Sequence, residues 1–361
     1  MTSVYIHLPF CSSICTYCDF SKMYYDKKLI KPYLKALKDE IEKIYQGEEI
    51  RTIYIGGGTP NVLDMEDLQA LFDILDIFNK NKIEEFTIEC NSEYLNKEQL
   101  LLFKKNGINR LSIGVQSFND KLLKVLGRNH NTEMVIKAIE VSKEIGFNNI
   151  SLDIIYGING QSMDDLKHDL DMVLTLDIPH VSFYSLIIEP HTKLYIESFK
   201  EIDEDLNEEM YRYINKVLTK NNYHHYEISN YAKEGYESKH NLVYWHNEQY
   251  YGFGLGASSY IGNIRYDNTR SLNKYLKGLY KKDEHQLESK EIMENEMILG
   301  LRLIKGVNKE DFYKKYNKRI EEVFPITQLI KDNLLIDDND YLYIPQDKLF
   351  ISNYILLQFL G

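Results

Sequence analysis

Cys11-Ser-Ser-Ile-Cys15-Thr-Tyr-Cys18 is the stretch of sequence that decides the fold. Its three cysteines follow the spacing C-x3-C-x2-C, and the only other cysteine of the chain, Cys90, lies far away in sequence. A secreted disulfide-bonded protein spreads its cysteines so that they close longer loops. Three thiols in one short segment indicate instead a metal centre in a reducing compartment.

Three thiolates on one loop can hold three iron corners of a [4Fe–4S] cluster, which usually has four thiolate ligands. The fourth iron then stays open and can chelate the amino and carboxylate groups of S-adenosylmethionine (SAM). Reductive cleavage of the sulfonium would give a 5′-deoxyadenosyl radical, which requires an enclosed site. Two alternatives remain: a zinc ion with His7 or Asp19 as fourth ligand, and a loop of free cysteines. We expect Cys90 to be an ordinary apolar residue.

Apolar runs typical of β-strands alternate with amphipathic runs typical of α-helices over the first two thirds of the chain. The predicted strands cover residues 4–7, 52–55, 85–89, 110–114, 149–155 and 180–186. The predicted helices cover residues 28–45, 65–78, 97–105, 121–126, 132–145, 163–176 and 205–221. Six strand–helix units in this order predict an α/β fold, a partial (β/α)6 TIM-type barrel with a parallel sheet.

The candidate site residues follow the predicted strands at their carboxyl ends. Right-handed crossovers bring these ends to one face of the sheet, which carries the chemistry in barrels of this type. The Gly56–Pro60 loop follows the second strand and lets the backbone approach a ligand, although it lacks the lysine of a phosphate-binding loop. Glu89 and Asp153 can accept hydrogen bonds from an ammonium or from ribose hydroxyls, or can cap the next helix. Arg128 can pair with a carboxylate or form a surface ion pair.

The pattern changes after residue 228, which predicts three regions along the chain. Residues 1–228 form the predicted barrel, and residues 229–285 are aromatic, Gly-rich and irregular. Residues 286–361 are predicted to form a small, mainly helical C-terminal domain with short strands at 334–336 and 341–344. The polar residues 281–284 are expected to be exposed near the boundary.

Composition and charge narrow the function classes. The net charge of −12, from 43 basic and 55 acidic residues, repels phosphate backbones and argues against a nucleic-acid partner. No apolar run reaches the length of a membrane helix, and the N-terminal residues do not follow a secretory signal pattern. We therefore expect a cytoplasmic protein, with peripheral contact at the inner face of the membrane as a further option.

Several motifs together resemble those of the radical SAM family that contains the oxygen-independent coproporphyrinogen III oxidases and the related heme chaperones. The shared stretches are residues 5–20, 56–60, 110–118, 127–130, 153–157 and 226–230. The resemblance implies a [4Fe–4S] cluster on the three cysteines of the loop. It also implies a SAM pocket that contains Tyr5, Tyr17, Gly57, Gly58, Thr59, Glu89, Gln116, Arg128 and Asp153. Two loops depart from the family pattern, with Asn91-Ser92 after Glu89 and Gly157-Ile-Asn-Gly-Gln161 after the fifth strand.

Three features separate the two branches of this family. The oxidases are similar but carry a further cysteine where this chain has Phe20, and a long extension before the cysteines, where this chain has ten residues. The chaperone branch carries an H-N-x-x-Y-W motif associated with heme. By this resemblance the heme-binding residues are expected to be His240, Asn241, Tyr244 and Trp245.

Physical reasoning from the residues leaves the role of this motif open. An imidazole can ligate heme iron and aromatic rings can pack on a porphyrin. Spacing alone favours the alternative that the motif merely joins the barrel to the C-terminal domain. The other histidines that could ligate iron are His224, His225 and His246.

The resemblance implies a heme chaperone that binds heme and delivers it to membrane respiratory proteins. Its expected cofactors are a [4Fe–4S] cluster, SAM and heme. The alternative is a coproporphyrinogen III oxidase, which decarboxylates propionate side chains oxidatively. A homodimer is compatible with the chaperone role, although the sequence carries no interface signature.

Overall fold

A computed structural model describes residues 1–360 of the chain. Its strands are β1 (Thr2–Leu8), β2 (Phe10–Cys11), β3 (Met23–Tyr24), β4 (Ile50–Gly57), β5 (Glu85–Cys90), β6 (Arg110–Gln116), β7 (Ile150–Tyr156), β8 (His180–Ser185), β9 (His224–Glu227), β10 (Asn230–Ala232), β11 (Tyr250–Phe253), β12 (Ser258–Ile261), β13 (Ile264–Asn268), β14 (Lys281–Gln286), β15 (Val307–Asn308), β16 (Ile336–Asp337) and β17 (Tyr341–Tyr343).

The α-helices are α1 (Lys27–Ile44), α2 (Met65–Leu75), α3 (Lys97–Lys105), α4 (Asp120–Val125), α5 (Thr132–Ile145), α6 (Met163–Thr175), α7 (Lys193–Ile196), α8 (Glu204–Lys220), α9 (Lys239–Trp245), α10 (Leu272–Tyr275), α11 (Ser289–Gly300), α12 (Lys309–Tyr316), α13 (Ile320–Val323), α14 (Ile326–Lys331) and α15 (Ser352–Leu356). The longer helices begin where the sequence offers a capping side chain. For example, Asn96, Asn131 and Ser162 each accept a hydrogen bond from the first turn of the following helix.

The predicted parallel sheet is confirmed, and within residues 1–360 it is part of a larger twelve-stranded sheet. The strand order is β14-β13-β12-β11-β1-β4-β5-β6-β7-β8-β10-β9. All neighbours from β11 to β8 pair in parallel, while the strands beyond them pair antiparallel. The sheet therefore has two ends and forms a partial barrel, as the alternating strand–helix pattern predicts.

Strand β11 differs from the sequence-based expectation of an irregular, Gly-rich segment. It pairs with β1 in register from Ser3↔Tyr250 to Ile6↔Phe253. A Cβ atom at Gly252 would lie 1.9 Å from the Ser258 carbonyl oxygen, so glycine is required where β11 and β12 approach. The glycines that obscured the strand in the sequence are the residues that allow it to pack.

The barrel core forms because apolar side chains face inward from both strands and helices. Helix α1 buries Ile30, Leu34, Leu37 and Ile41, a helical spacing that places all four on one face against the sheet. The parallel strands are apolar along most of their length because they are covered on both faces.

The residues after β14 form helices α11 to α15 and a small sheet in the order β15-β17-β16. Residues 281–284 are exposed as expected, but they belong to β14, a charged edge strand that pairs with β13. We propose the same division of the chain into three regions, residues 1–228, 229–285 and 286–361. Gly361 lies outside the described residues. Among residues 1–360, no helix combines the length and apolar character needed to cross a bilayer.

Candidate functional site

The cysteine loop lies at the carboxyl ends of the parallel strands. Cys11 ends β2, and Cys15 and Cys18 follow in the loop; all three are free thiols that line one cavity of about 360 Å³. Backbone hydrogen bonds hold the loop at Thr16, whose N–H donates to the Leu126 carbonyl and whose carbonyl accepts from the Leu194 N–H, at 3.1 and 3.0 Å. Two distant segments thus fix the loop that carries the thiols.

The electrostatic surroundings of the thiols differ along the loop. Burial raises the pKa of the Cys11 thiol to about 11, and burial also raises the pKa of Cys18. The Arg128 guanidinium donates from Nη1 to Cys15 Sγ at 3.4 Å, which places a positive charge beside the loop. Positive charge of this kind offsets the negative charge that three thiolates bring to a cluster.

His7, one of the two candidates for the fourth ligand of a zinc ion, is engaged elsewhere in this structure. His7 uses both ring nitrogens in the fold: Nδ1 pairs with Tyr5 Oη at 2.9 Å and Nε2 with the Ser21 carbonyl at 2.7 Å. Burial lowers the pKa of His7 to about 4, so the ring is neutral. Within residues 1–360, no three His, Cys, Asp or Glu side chains are gathered as a site for a single metal ion.

The glycine loop at the end of β4 packs directly against the cysteine loop. The Gly58 N–H donates to the Leu8 carbonyl at 2.7 Å, and the Thr59 N–H donates to the Phe10 carbonyl at 2.8 Å. A Cβ atom on Gly58 would lie 2.6 Å from the Phe10 carbonyl oxygen and 2.9 Å from Cys11 Sγ. Any larger residue would push the loop away from the thiol, which explains the glycine.

Glu89, at the end of β5, connects the glycine loop to the floor of the cavity. Its Oε2 accepts from the Gly57 N–H at 3.0 Å and its Oε1 accepts from Tyr54 Oη at 2.8 Å. Burial raises the pKa of Glu89 to about 7. Asp153 is held similarly by the Ser112 hydroxyl at 3.0 Å, and burial raises its pKa too. Both carboxyls line the cavity as hydrogen-bond acceptors for a ligand.

Arg128, next to Cys15, and Gln116 complete the cavity wall. Arg128 Nη2 donates to Asn91 Oδ1 at 2.7 Å and to the Gly114 carbonyl at 2.8 Å, while its buried Nε has no partner in the described structure. Gln116 has a φ of 68°, a left-handed conformation that is uncommon for a non-glycine residue. Strain of this kind is typical of functional sites and here turns the chain at the cavity.

The structure brings most of the predicted cofactor residues together and leaves one apart. The residues that line the cavity are Cys11, Cys15, Tyr17, Cys18, Gly57, Gly58, Thr59, Glu89, Gln116, Arg128 and Asp153. Tyr5 does not line it, because its ring stacks on Tyr54 with centroids 6.1 Å apart and its hydroxyl pairs with His7. Tyr5 therefore supports the wall from behind.

The predicted heme motif lies at the opposite end of the strands, on helix α9. His240 is buried, with Nδ1 paired to Thr52 Oγ1 at 2.8 Å and Nε2 paired to Tyr244 Oη at 2.8 Å. Thr52 stands near the start of β4 and Gly57 at its end, a separation of roughly 16 Å along the strand. Of the four motif residues, Asn241 lines the cavity.

Contacts around α9 explain how the motif closes the amino end of the barrel. The Glu85 carboxylate accepts from the backbone N–H groups of Lys239 and His240, both at 3.0 Å, and so anchors the start of the helix. The His240 ring stacks on Tyr54 at 5.1 Å between centroids. Because Tyr54 also donates to Glu89, one aromatic residue touches both the motif and the cofactor cavity.

Sequence reasoning missed several cavity residues. Tyr54, Asn91, Arg110 and His180 line the cavity from within or just beyond the predicted strands. Tyr54 stands inside an apolar run and Arg110 begins one, so a polar side chain at a strand position was the signal that could have identified them. His180 pairs with Ser151 Oγ at 2.7 Å and Tyr226 Oη at 2.8 Å, contacts that only the fold reveals.

Comparison with protein families identifies two segments. Residues 5–173 match the family described as the radical SAM superfamily, and residues 287–347 match the HemN C-terminal domain.

Comparison with individual proteins extends the similarity over nearly the whole chain. The heme chaperone HemW of Lactococcus lactis subsp. lactis (strain IL1403) is 41% identical, covering 99% of this chain and 97% of that protein. The heme chaperones HemW of Bacillus subtilis (strain 168) and Escherichia coli (strain K12) are 40% and 31% identical, with at least 97% of each chain covered. The solved structure of coproporphyrinogen III oxidase (HemN) from Escherichia coli matches with a TM-score of 0.87 at 22% identity, over 99% of this chain and 89% of that one. This last similarity shows the fold.

Proposed function

The chain belongs to the heme chaperone HemW family of radical SAM proteins, and from that premise we propose that it binds heme and delivers it to respiratory proteins at the membrane. The observation that carries this proposal is the similarity to named heme chaperones over essentially the whole chain. Delivery at the membrane requires contact with its inner face, and we propose that the contact is peripheral.

We propose that Cys11, Cys15 and Cys18 ligate a [4Fe–4S] cluster that leaves one iron open for SAM. The fit is supported by three free thiols on the wall of one cavity and by a glycine loop that leaves no room for a side chain beside Cys11. When bound, the cluster and SAM together supply one-electron chemistry in an enclosed space.

The protein's own residues have distinct proposed roles around SAM. The backbone of Gly57, Gly58 and Thr59 approaches the methionyl end, since no side chain stands in the way. The carboxyls of Glu89 and Asp153 accept hydrogen bonds from the ammonium and ribose hydroxyls. Arg128, beside Cys15, and Gln116 orient the ligand, with the unpartnered Arg128 Nε as an available donor. Tyr17 closes the side next to the cysteines.

We propose that the segment with His240, Asn241, Tyr244 and Trp245 contacts heme. Burial lowers the pKa of His240 to about 3, so its imidazole stays neutral, the form that ligates iron. Both ring nitrogens are engaged in the fold, so ligation requires that the ring release Tyr244 or Thr52. His224, His225 and His246 are the ligands to compare by substitution.

One anaerobic experiment tests the chaperone assignment. Protein reconstituted with iron and sulfide is incubated with SAM, a reductant and coproporphyrinogen III, and separately titrated with hemin. We expect saturable hemin binding and no protoporphyrinogen. Sustained decarboxylation would identify an oxidase instead. Replacement of His240 and Trp245 by alanine should weaken hemin binding, and unchanged binding would remove the motif from the heme site. Size exclusion of the same samples tests whether the chain is a homodimer.

A further inference from the structure

The mouth of the cofactor cavity is bordered by apolar side chains that face solvent. Phe20 and Ile187 are 63% and 62% exposed, and both line the cavity together with Ile14 and Leu186. We call these four residues the rim. Exposed apolar side chains that are grouped around an opening, in contrast to isolated ones, are typical of binding surfaces.

The rim comes from two separate segments that the fold brings together. Ile14 and Phe20 belong to the cysteine loop, whereas Leu186 and Ile187 follow β8. Helix α7, the next element along, is attached to the cysteine loop through the Leu194 N–H and the Thr16 carbonyl. Tyr195 and Ile196 of this helix are 56% and 72% exposed. A backbone hydrogen bond therefore connects the two segments that carry the rim.

Two cations stand beside the rim without an acidic partner. The Lys22 ammonium donates to the backbone carbonyls of Cys18 and Phe20. Within residues 1–360, no ion pair joins Lys22 or Arg270 to a carboxylate, although the chain as a whole is acidic. Lys22 lines the cavity, and Arg270 is exposed next to Ser21, since both approach the same face of Gly256. An apolar surface flanked by cations that no carboxylate neutralises fits an apolar ligand with carboxylate substituents.

We infer that the rim docks one face of a heme macrocycle over the cavity mouth, with Lys22 and Arg270 directed at its propionates. The inference rests on the proposed function, because it assumes that the chain binds heme, and it adds a second surface to the α9 segment. The rim is open to a ligand as it stands, whereas His240 is buried and engaged. Heme reaching the protein from solvent therefore meets the rim first.

Hemin titration of the Ile187→Asn chain tests the apolar part of the site. Ile187 is distant from the cysteines in sequence, so the variant leaves the cluster ligands in place. Loss of this contact should weaken binding about tenfold, as expected for one large apolar side chain. Leu357→Asn is the matched control, because Leu357 is 60% exposed in the C-terminal helices, and it should bind hemin like the wild type.

Iron-free protoporphyrin IX and its dimethyl ester test the charged part. Arg270→Gln should weaken binding of the free acid several-fold and leave binding of the ester unchanged. If the wild-type chain binds hemin but Ile187→Asn and Leu357→Asn bind it equally well, the rim is not a docking surface, although the proposed function stands. If the wild-type chain binds no hemin, the proposed function itself is wrong.

Discussion

Gly58 is the residue at which the glycine loop packs against the cysteine loop. The Cβ atom that any other residue adds would meet the Phe10 carbonyl oxygen at 2.6 Å, and a backbone atom cannot move aside easily. The same Cβ would press on Cys11 Sγ, one of the three thiols. The close packing of the glycine loop on the cysteine loop therefore requires glycine at position 58.

Gly58→Ala is expected to lower SAM affinity by at least about tenfold, since 1.4 kcal/mol of strain suffices for that change. Iron content after reconstitution should fall in parallel because Cys11 is displaced. Equilibrium dialysis with SAM and an iron assay measure the two effects. Gly160→Ala is the control, since nothing lies within 4 Å of its added Cβ and only the backbone at φ +90° is strained. Wild-type SAM affinity and iron content in Gly58→Ala would contradict this account of the loop.

Helix α1 is anchored to the region of strands β11 to β13 by a buried carboxyl group. Glu40 accepts hydrogen bonds from the Gly254 N–H at 2.9 Å, Asn268 Nδ2 at 2.6 Å and Tyr275 Oη at 2.5 Å. Burial raises the pKa of Glu40 to about 7. The contacts tie α1 to the segment after β11, to β13 and to α10, on the side of β1 where the sheet continues into its antiparallel strands.

The raised pKa makes stability depend on pH. The folded chain binds the Glu40 proton more tightly than the unfolded chain, whose pKa is near the ordinary value of 4.5. The resulting stabilisation is complete below that value and is lost as the pH rises through about 7. Relative to Glu40→Gln, the wild type should lose on the order of 2 kcal/mol of unfolding free energy between about pH 5 and about pH 8. Urea unfolding at both pH values measures it, and a constant difference would contradict the assignment.

The elements also show what sequence could and could not predict. Strands β1 and β4 to β8 were predictable because short runs rich in apolar residues alternate with helical segments. Helices such as α3 and α5 were predictable from their caps and periodicity. Strand β11 was not, because Gly252 and Gly254 obscure its apolar pattern. The cysteine loop and Gly58 were readable from spacing, whereas Tyr54 between Glu89 and His240 required the three-dimensional fold.

At the scale of the whole molecule, the partial barrel separates two surfaces. The cysteine loop, the glycine loop and the rim surround the carboxyl ends of the strands, while α9 closes the amino ends. Tyr54 touches both Glu89 on the cavity side and His240 on the α9 side. The cofactor cavity therefore lies between the rim at its mouth and α9, whose Asn241 lines it, so both surfaces proposed to contact heme border the cofactor site.

The central claim is that three thiolates hold an iron–sulfur cubane whose open corner binds SAM. Anaerobic reconstitution followed by iron and sulfide analysis and electron paramagnetic resonance of the reduced protein measures this directly. The account predicts about four irons and four sulfides per chain, a signal that changes when SAM is added, and loss of both in Cys15→Ala. Zinc in place of iron, or a reduced-cluster signal that SAM leaves unchanged, would contradict it.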